Sequence, residues 1–118
     1  MEPMAVLGLN EAVFDCADPA GLAGFWAALF GAEAVVRSHD WAYVESELTR
    51  TRIAFQKVPE GKVAKNRLHL DVEVDDLTAE TDRVVGLGAT ALGEVMTDEQ
   101  GSFQVLADPE GNEFCLVC

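Results

Sequence analysis

The side chains of this sequence best suited to chemistry sit at alternate positions of short apolar runs. From 67 to 74 the pattern separates cleanly: Leu68, Leu70, Val72 and Val74 fall on one face of an extended strand, and Arg67, His69, Asp71 and Glu73 on the other. The apolar face must pack on a helix, so His69 is expected on the opposite face, where it can meet a ligand, a hydrogen-bond partner or a metal. The spacing that carries Asp18 onto Asp76 also carries Glu11 onto His69. A carboxylate and an imidazole at matching places in two strands are both good donors to a divalent ion. Secure binding needs a third protein group, which directs attention to the far strand of each half. There Glu113, Cys115 and Val117 share a face, and Ile53 and Phe55 oppose Ala54, Gln56 and Val58; neither run has a central aspartate or glutamate.

Other candidates are less specific. Trp41 and Tyr43 share a face with Glu45, where they either stack on a planar ligand or pack as ordinary strand aromatics. Cys115-Leu116-Val117-Cys118 has the spacing of a metal knuckle. Residues three apart in a strand point to opposite faces, however, so the two sulfurs cannot share one ion. With Cys16 they are read as reduced, structural thiols. The chain has no nucleophile elbow or phosphate loop, and Gly86-Leu87-Gly88 reads as a helix end.

The elements that must position these groups recur twice. A strand from Leu7 to Cys16 leads to Asp18-Pro19, an N-cap followed by the residue best suited to the first helical position. Leu22, Phe25, Trp26, Leu29 and Phe30 then form one helical stripe, which Gly31 ends. Strands are expected over Ala34 to Arg37, Trp41 to Glu45 and Arg52 to Val58. The second half repeats this order: strand Arg67 to Val74, cap Asp75-Asp76, helix Leu77 to Leu87 ended by Gly88, and strands around Ala91 to Met96, Phe103 to Ala107 and Glu113 to Val117. The last two strands are joined by Asp108-Pro109-Glu110-Gly111. Two β-α-β-β-β modules, about 5–60 and 66–118, make one expected domain over 1–118. A four-stranded sheet with one helix keeps an uncovered face, so the copies should combine.

Composition narrows the partners. With 21 acidic and 8 basic residues the chain of 118 carries a formal charge of −13, a field that repels nucleic acid and anionic membranes. Six of the eight cations, Arg50, Arg52, Lys57, Lys62, Lys65 and Arg67, cluster in a loop rim or an anion pocket. Hydrophobic residues at 49% against 25% charged place the chain in the globular class. No run approaches the roughly 18–20 apolar residues of a membrane span, and the N-terminus lacks a basic leader, so a cytoplasmic location is expected.

The element order, Asp18-Pro19 with Phe25-Trp26 and Gly31, the strand Leu68-His69-Leu70-Asp71-Val72 and the run from Phe103 to Phe114 through Asp-Pro-Glu-Gly-Asn together resemble the vicinal-oxygen-chelate superfamily, and within it the glyoxalase-like domains. That superfamily includes glyoxalase I, bleomycin-resistance proteins, fosfomycin-modifying enzymes and extradiol dioxygenases. The resemblance implies an α+β fold of tandem βαβββ modules, a cupped eight-stranded mixed sheet with a helix from each module on its outer face. It also implies a small-molecule pocket and a homodimer. The metal ligands of such enzymes fall here on Glu11, His69 and Cys115, the last standing where a glutamate is usual, with a fourth near Phe55 or Gln56. A depleted set of this kind suits zinc best, and Glu113 is a substitute if the strand shifts. Two functions follow from the resemblance. One is a small-molecule-binding, bleomycin-resistance-like protein with an incomplete or absent metal site and Glu11, Trp41, Tyr43, Gln56, His69 and Cys115 lining its pocket. The other is a divalent-metal lyase, isomerase or dioxygenase acting on vicinal oxygens. A third, plainer outcome is an interaction domain whose cup is filled by its own side chains.

Overall fold

The computed structural model describes residues 10–64, 66, 68–99 and 101–118. The first module is β1 (Glu11–Cys16), α1 (Pro19–Leu29), β2 (Ala34–Ser38), β3 (Trp41–Val44) and β4 (Arg52–Lys57). The second repeats it as β5 (Leu70–Glu73), α2 (Leu77–Gly86), β6 (Thr90–Asp98), β7 (Gly101–Ala107) and β8 (Glu113–Val117). The expected strand residues 7–9 and 67 lie outside the described residues. The α+β class and the tandem βαβββ order are as the sequence predicts. The eight strands hydrogen-bond as two four-stranded mixed sheets, ordered β1-β4-β3-β2 and β5-β8-β7-β6. In each sheet the first strand runs parallel to the last of its module, and the other neighbours are antiparallel.

Both helices start by the same device. The Asp18 carboxylate accepts from the Gly21 amide at 3.2 Å, and the Asp76 carboxylate from the Ala79 amide at 3.0 Å, so each cap satisfies an orphan donor of the first turn. Gly31 takes a φ of +64°, which a β-carbon would oppose, and the chain leaves α1 there. The apolar stripe of α1 puts Leu22, Ala23, Phe25, Trp26, Ala27 and Leu29 out of solvent. It packs on the face of the first sheet that carries Phe14, Ala42, Val44, Ile53 and Phe55.

That core does not stop at the module boundary. Trp26 meets Phe114 of β8 with ring centroids 4.8 Å apart, and Phe25 meets it at 6.2 Å. The Trp26 indole donates to the Asp108 carboxylate at 3.1 Å. Asp108 is buried and also accepts from the Glu110 and Asn112 amides, each at 2.9 Å, and from the Asn112 side chain. Glu110 reaches the other way, accepting from the amides of Ala17 and Asp18 at 2.6 and 2.8 Å. The Asp-Pro-Glu-Gly-Asn turn is therefore the joint between the modules. Arg83 of α2 adds a second tie by donating to the last carbonyls of α1, Leu29 at 2.8 Å and Ala28 at 3.3 Å.

The helix-bearing faces of both sheets thus share one core, and each sheet keeps a bare face on the side away from it. The bare face of the first sheet follows from register: Glu11 opposite Arg52, Val13 in a row with Ala54, Tyr43 and Val35, and Asp15 in a row with Gln56 and Trp41. On the second sheet the rows are Asp71, Cys115, Val105, Leu92 and Glu73, Val117, Phe103, Met96.

Candidate functional site

Strand β5 begins at Leu70, later than the alternation suggests, so Leu68 is 70% exposed and does not join the packed face. His69 lies at the strand entry, with its side chain exposed. Its Nε2 stands 3.3 Å from an Asp71 carboxylate oxygen. Parallel pairing of β5 with β8 sets Asp71 beside Cys115. The ligand atoms of His69, Asp71 and Cys115 all lie within 4.8 Å of one another. They line one wall of a cavity of about 470 Å³ that also touches Glu73, Ser102, Phe103, Val117 and Cys118. Burial, then the Asp71 carboxylate and its hydrogen bond, then Glu113, push the Cys115 thiol above its ordinary range. Cys118 lines the same cavity without joining the three-atom group.

The other expected site residues lie on the first sheet. Glu11 is 3.9 Å from the Arg52 guanidinium, whose other nitrogen holds Glu45 at 2.9 Å. Arg52 lies over the Tyr43 ring, 3.9 Å from its centroid, and Arg37 donates to the Tyr43 hydroxyl at 3.2 Å. Tyr43 is buried by this arrangement, Trp41 is half-buried beside it, and Gln56 is exposed. Phe55 belongs to the helix-bearing core. The fold therefore brings His69 and Cys115 together, and it places Glu11, Trp41, Tyr43 and Gln56 on a separate face.

Two features escaped the sequence reading. Asp71 shares the His69 face two residues on, a spacing visible in the alternation, but its approach to Cys115 depends on strand register. Arg52 appeared only as part of a basic cluster, and nothing local shows that it engages Glu11 and covers Tyr43.

The three clustered donors fit a metal by their chemistry. Imidazole nitrogen, carboxylate oxygen and thiol sulfur make a mixed set of the kind zinc accepts, and three protein ligands leave a position open for substrate or water. Ligand atoms around a tetrahedral zinc are roughly 3–4 Å apart, so these side chains would close in by about 1 Å from their widest separation. His69 and Asp71 are exposed enough to do so.

Two βαβββ modules, each a four-stranded mixed sheet with one helix and the two joined through one core, define a class of paired-module α+β folds. A family model described as "Glyoxalase-like domain" matches residues 11–117, and the chain belongs to that family. No curated protein matches the chain. Among solved structures it is similar to a glyoxalase/bleomycin resistance protein/dioxygenase family enzyme from Burkholderia phytofirmans PsJN, with a TM-score of 0.78 and 17% identity over 92% of this chain and 95% of that one. A glyoxalase-related enzyme from Fulvimarina pelagi has a TM-score of 0.75 and 16% identity over 95% and 88%. A bleomycin-binding protein from Streptomyces verticillus, complexed with copper(II)-bleomycin, has a TM-score of 0.66 and 20% identity over 96% and 97%. At these identities the likeness is one of fold. No helix among the described residues is long and apolar enough to cross a membrane.

Proposed function

We propose that the protein is a small-molecule-binding member of the glyoxalase-like family, folded as one domain over 1–118, dimeric and cytoplasmic, whose cup works without a complete metal centre. The observation that carries this reading is the engagement of Glu11 by Arg52, 3.9 Å away, on a face separate from His69 and Cys115. An arginine beside a would-be metal ligand opposes a second cation there by direct repulsion. The pocket wall on the second sheet combines Phe103 and Val117 with the carboxylates of Asp71 and Glu73. Apolar contact with negative charge suits a neutral or cationic ligand, as does the formal charge of −13. Bleomycin is the first probe, because the Streptomyces verticillus neighbour was solved with its copper complex. Calorimetric titration with metal-free and copper(II)-bleomycin is expected to show binding that weakens at least tenfold in Glu73→Lys; no heat with either form removes bleomycin as the ligand.

The clustering of His69, Asp71 and Cys115 within 4.8 Å favours a second reading, a metal-dependent enzyme acting on vicinal oxygens. These three residues would hold the ion, which when bound supplies Lewis-acid polarisation of a chelated oxygen. The chain's own part would be orientation, with Phe103 and Val117 shielding one side of the substrate and Glu73 available to accept a proton. Elemental analysis of protein purified without chelator or affinity tag separates the two readings. About one metal per chain that disappears in His69→Ala supports the enzyme. Absence of metal even after incubation with zinc leaves the binding protein.

A further inference from the structure

The two modules do not fill their halves of the shared core alike. Caps and register match their positions: Asp18 with Asp76, Phe14 beside Phe55 as Val72 is beside Leu116, and Ile53 beside Ala12 as Phe114 is beside Leu70. In one half Trp26 meets Phe14 at 5.9 Å between ring centroids and Phe114 at 4.8 Å, while Phe14 meets Phe55 at 5.5 Å. The matching residues of the other half are Val84, Val72, Ile53 and Leu116, all aliphatic and smaller. On the helices, Glu80 and Arg83 stand where α1 has Leu22 and Phe25. α1 accordingly buries seven residues, and α2 buries Leu77 and Val84.

The difference leaves a cleft. Ile53, Val72, Val84 and Leu116 all line a recess of about 770 Å³ bounded by the end of α1, β5 and α2. Close packing leaves few interior voids, and a recess of this size lies in the range of small-molecule sites. The fastening of the first half is missing here as well. The spacing that carries Phe114 onto Ile53 also carries Asp108 onto Glu47 and Gly111 onto Arg50. Both loops keep a left-handed residue at that place, Gly111 with a φ of +87° and Arg50 with +60°, so the backbone repeats. Asp108 is buried and holds the Trp26 indole, whereas Glu47 is exposed and Val84 offers it no donor.

Charge selects what fits. Asp75, Asp76 and Glu80 line the cleft with one cation, Arg83. That guanidinium is already committed, to Glu80 at 2.9 Å and to the carbonyls of Leu29 and Ala28. Leu29 and Phe30 bring the carboxyl end of α1, the negative end of its dipole, to the same cleft. We propose that this cleft is a second small-molecule site, on the helix side of the sheets and separate from the cup, which takes a primary amine with an apolar body. The body lies against Ile53, Val72, Val84 and Leu116, and the ammonium is held at Asp75. The proposal does not rest on the reading of the cup.

Titration with n-decylamine, decanol and decanoate below their micelle concentrations, followed by methyl NMR, tests it. Decylamine is expected to bind roughly tenfold tighter than either of the others, because the cleft's carboxylates favour the cation. It should shift the methyl signals of Ile53, Val72, Val84 and Leu116 and leave those of Val105 and Val117, on the bare face of the second sheet, in place. Val84→Trp copies the plug of the first half and is expected to weaken decylamine roughly tenfold while keeping native circular dichroism. If that variant does not fold, Val72→Phe, which matches Phe14, replaces it. Asp75→Asn is expected to bring the amine to within about threefold of the alcohol. Absence of binding, equal binding of the three amphiphiles, shifts centred on Val105 and Val117, full affinity in the plugged variant or an unchanged preference in Asp75→Asn overturns the proposal. Bleomycin titration of the plugged variant keeps the two sites apart: bleomycin binding retained where decylamine binding is lost supports the second site, and failure of bleomycin on the wild type removes only the ligand assigned to the cup.

Discussion

At the scale of single residues, Asp108 and Cys16 show how burial converts a polar atom into a structural commitment. Asp108 satisfies the Trp26 indole, two backbone amides and the Asn112 side chain from inside the core. Asp108→Ala strands those donors, which should cost about 2–4 kcal/mol and lower the melting temperature by about 10 °C in a thermal scan. Cys16 is buried, and burial first, then the charges of Glu110, Asp18 and Asp15, push its thiol up to about 11. Its proton is held more tightly folded than unfolded, so its contribution to stability is complete below pH 9 and declines as pH rises towards 11. Urea midpoints at pH 8 and pH 10.5 should therefore fall further for the wild type than for Cys16→Ala; equal falls would show that this thiol does not govern the alkaline loss. The sequence reading reached His69 and Cys115 by alternation and resemblance, and it passed over Asp71, whose nearness to Cys115 is a property of the parallel β5–β8 register.

At the scale of elements, local chemistry was legible and reach across space was not. Asp18-Pro19 and Asp76 announced two helix starts, and the Leu22 to Phe30 stripe announced the buried side of α1. The start of β5 at Leu70 and the nine-residue length of β6 were not visible. In β6 the register slips between Leu92 and Met96, and Gly93 adopts a φ of +78°. The buried Gln104 amide holds that bulge by donating to the Gly93 carbonyl at 3.1 Å, a contact from the neighbouring strand that no local pattern encodes. Arg83 makes the same point for helices. It sits in the last turn of its own helix, yet it caps the carbonyls of α1. Arg83→Ala should destabilise the protein by about 1–2 kcal/mol in urea unfolding, and Arg83→Lys, which can reach one carbonyl, should recover part of the loss.

At the scale of the molecule, the contacts of Trp26 and Phe25 with Phe114 make one core from two modules. Calorimetry should accordingly show a single cooperative transition, and residues 10–60 alone should not acquire a folded near-ultraviolet signal; two resolved transitions would mean the modules are independent. By itself the sequence determined the repeated βαβββ order, the helix caps, the split of β5 into an apolar and a polar face, and the acidic charge. Each of these is set by neighbours a few residues apart, through backbone preference and side-chain alternation. Tertiary structure alone decided that the helix-bearing faces share a core, that Arg52 takes Glu11 and covers Tyr43, and that Asp71 joins His69 and Cys115. Those outcomes depend on strand register and on how two sheets pack around α1, where the energies of many distant contacts compete and no short segment contains the answer.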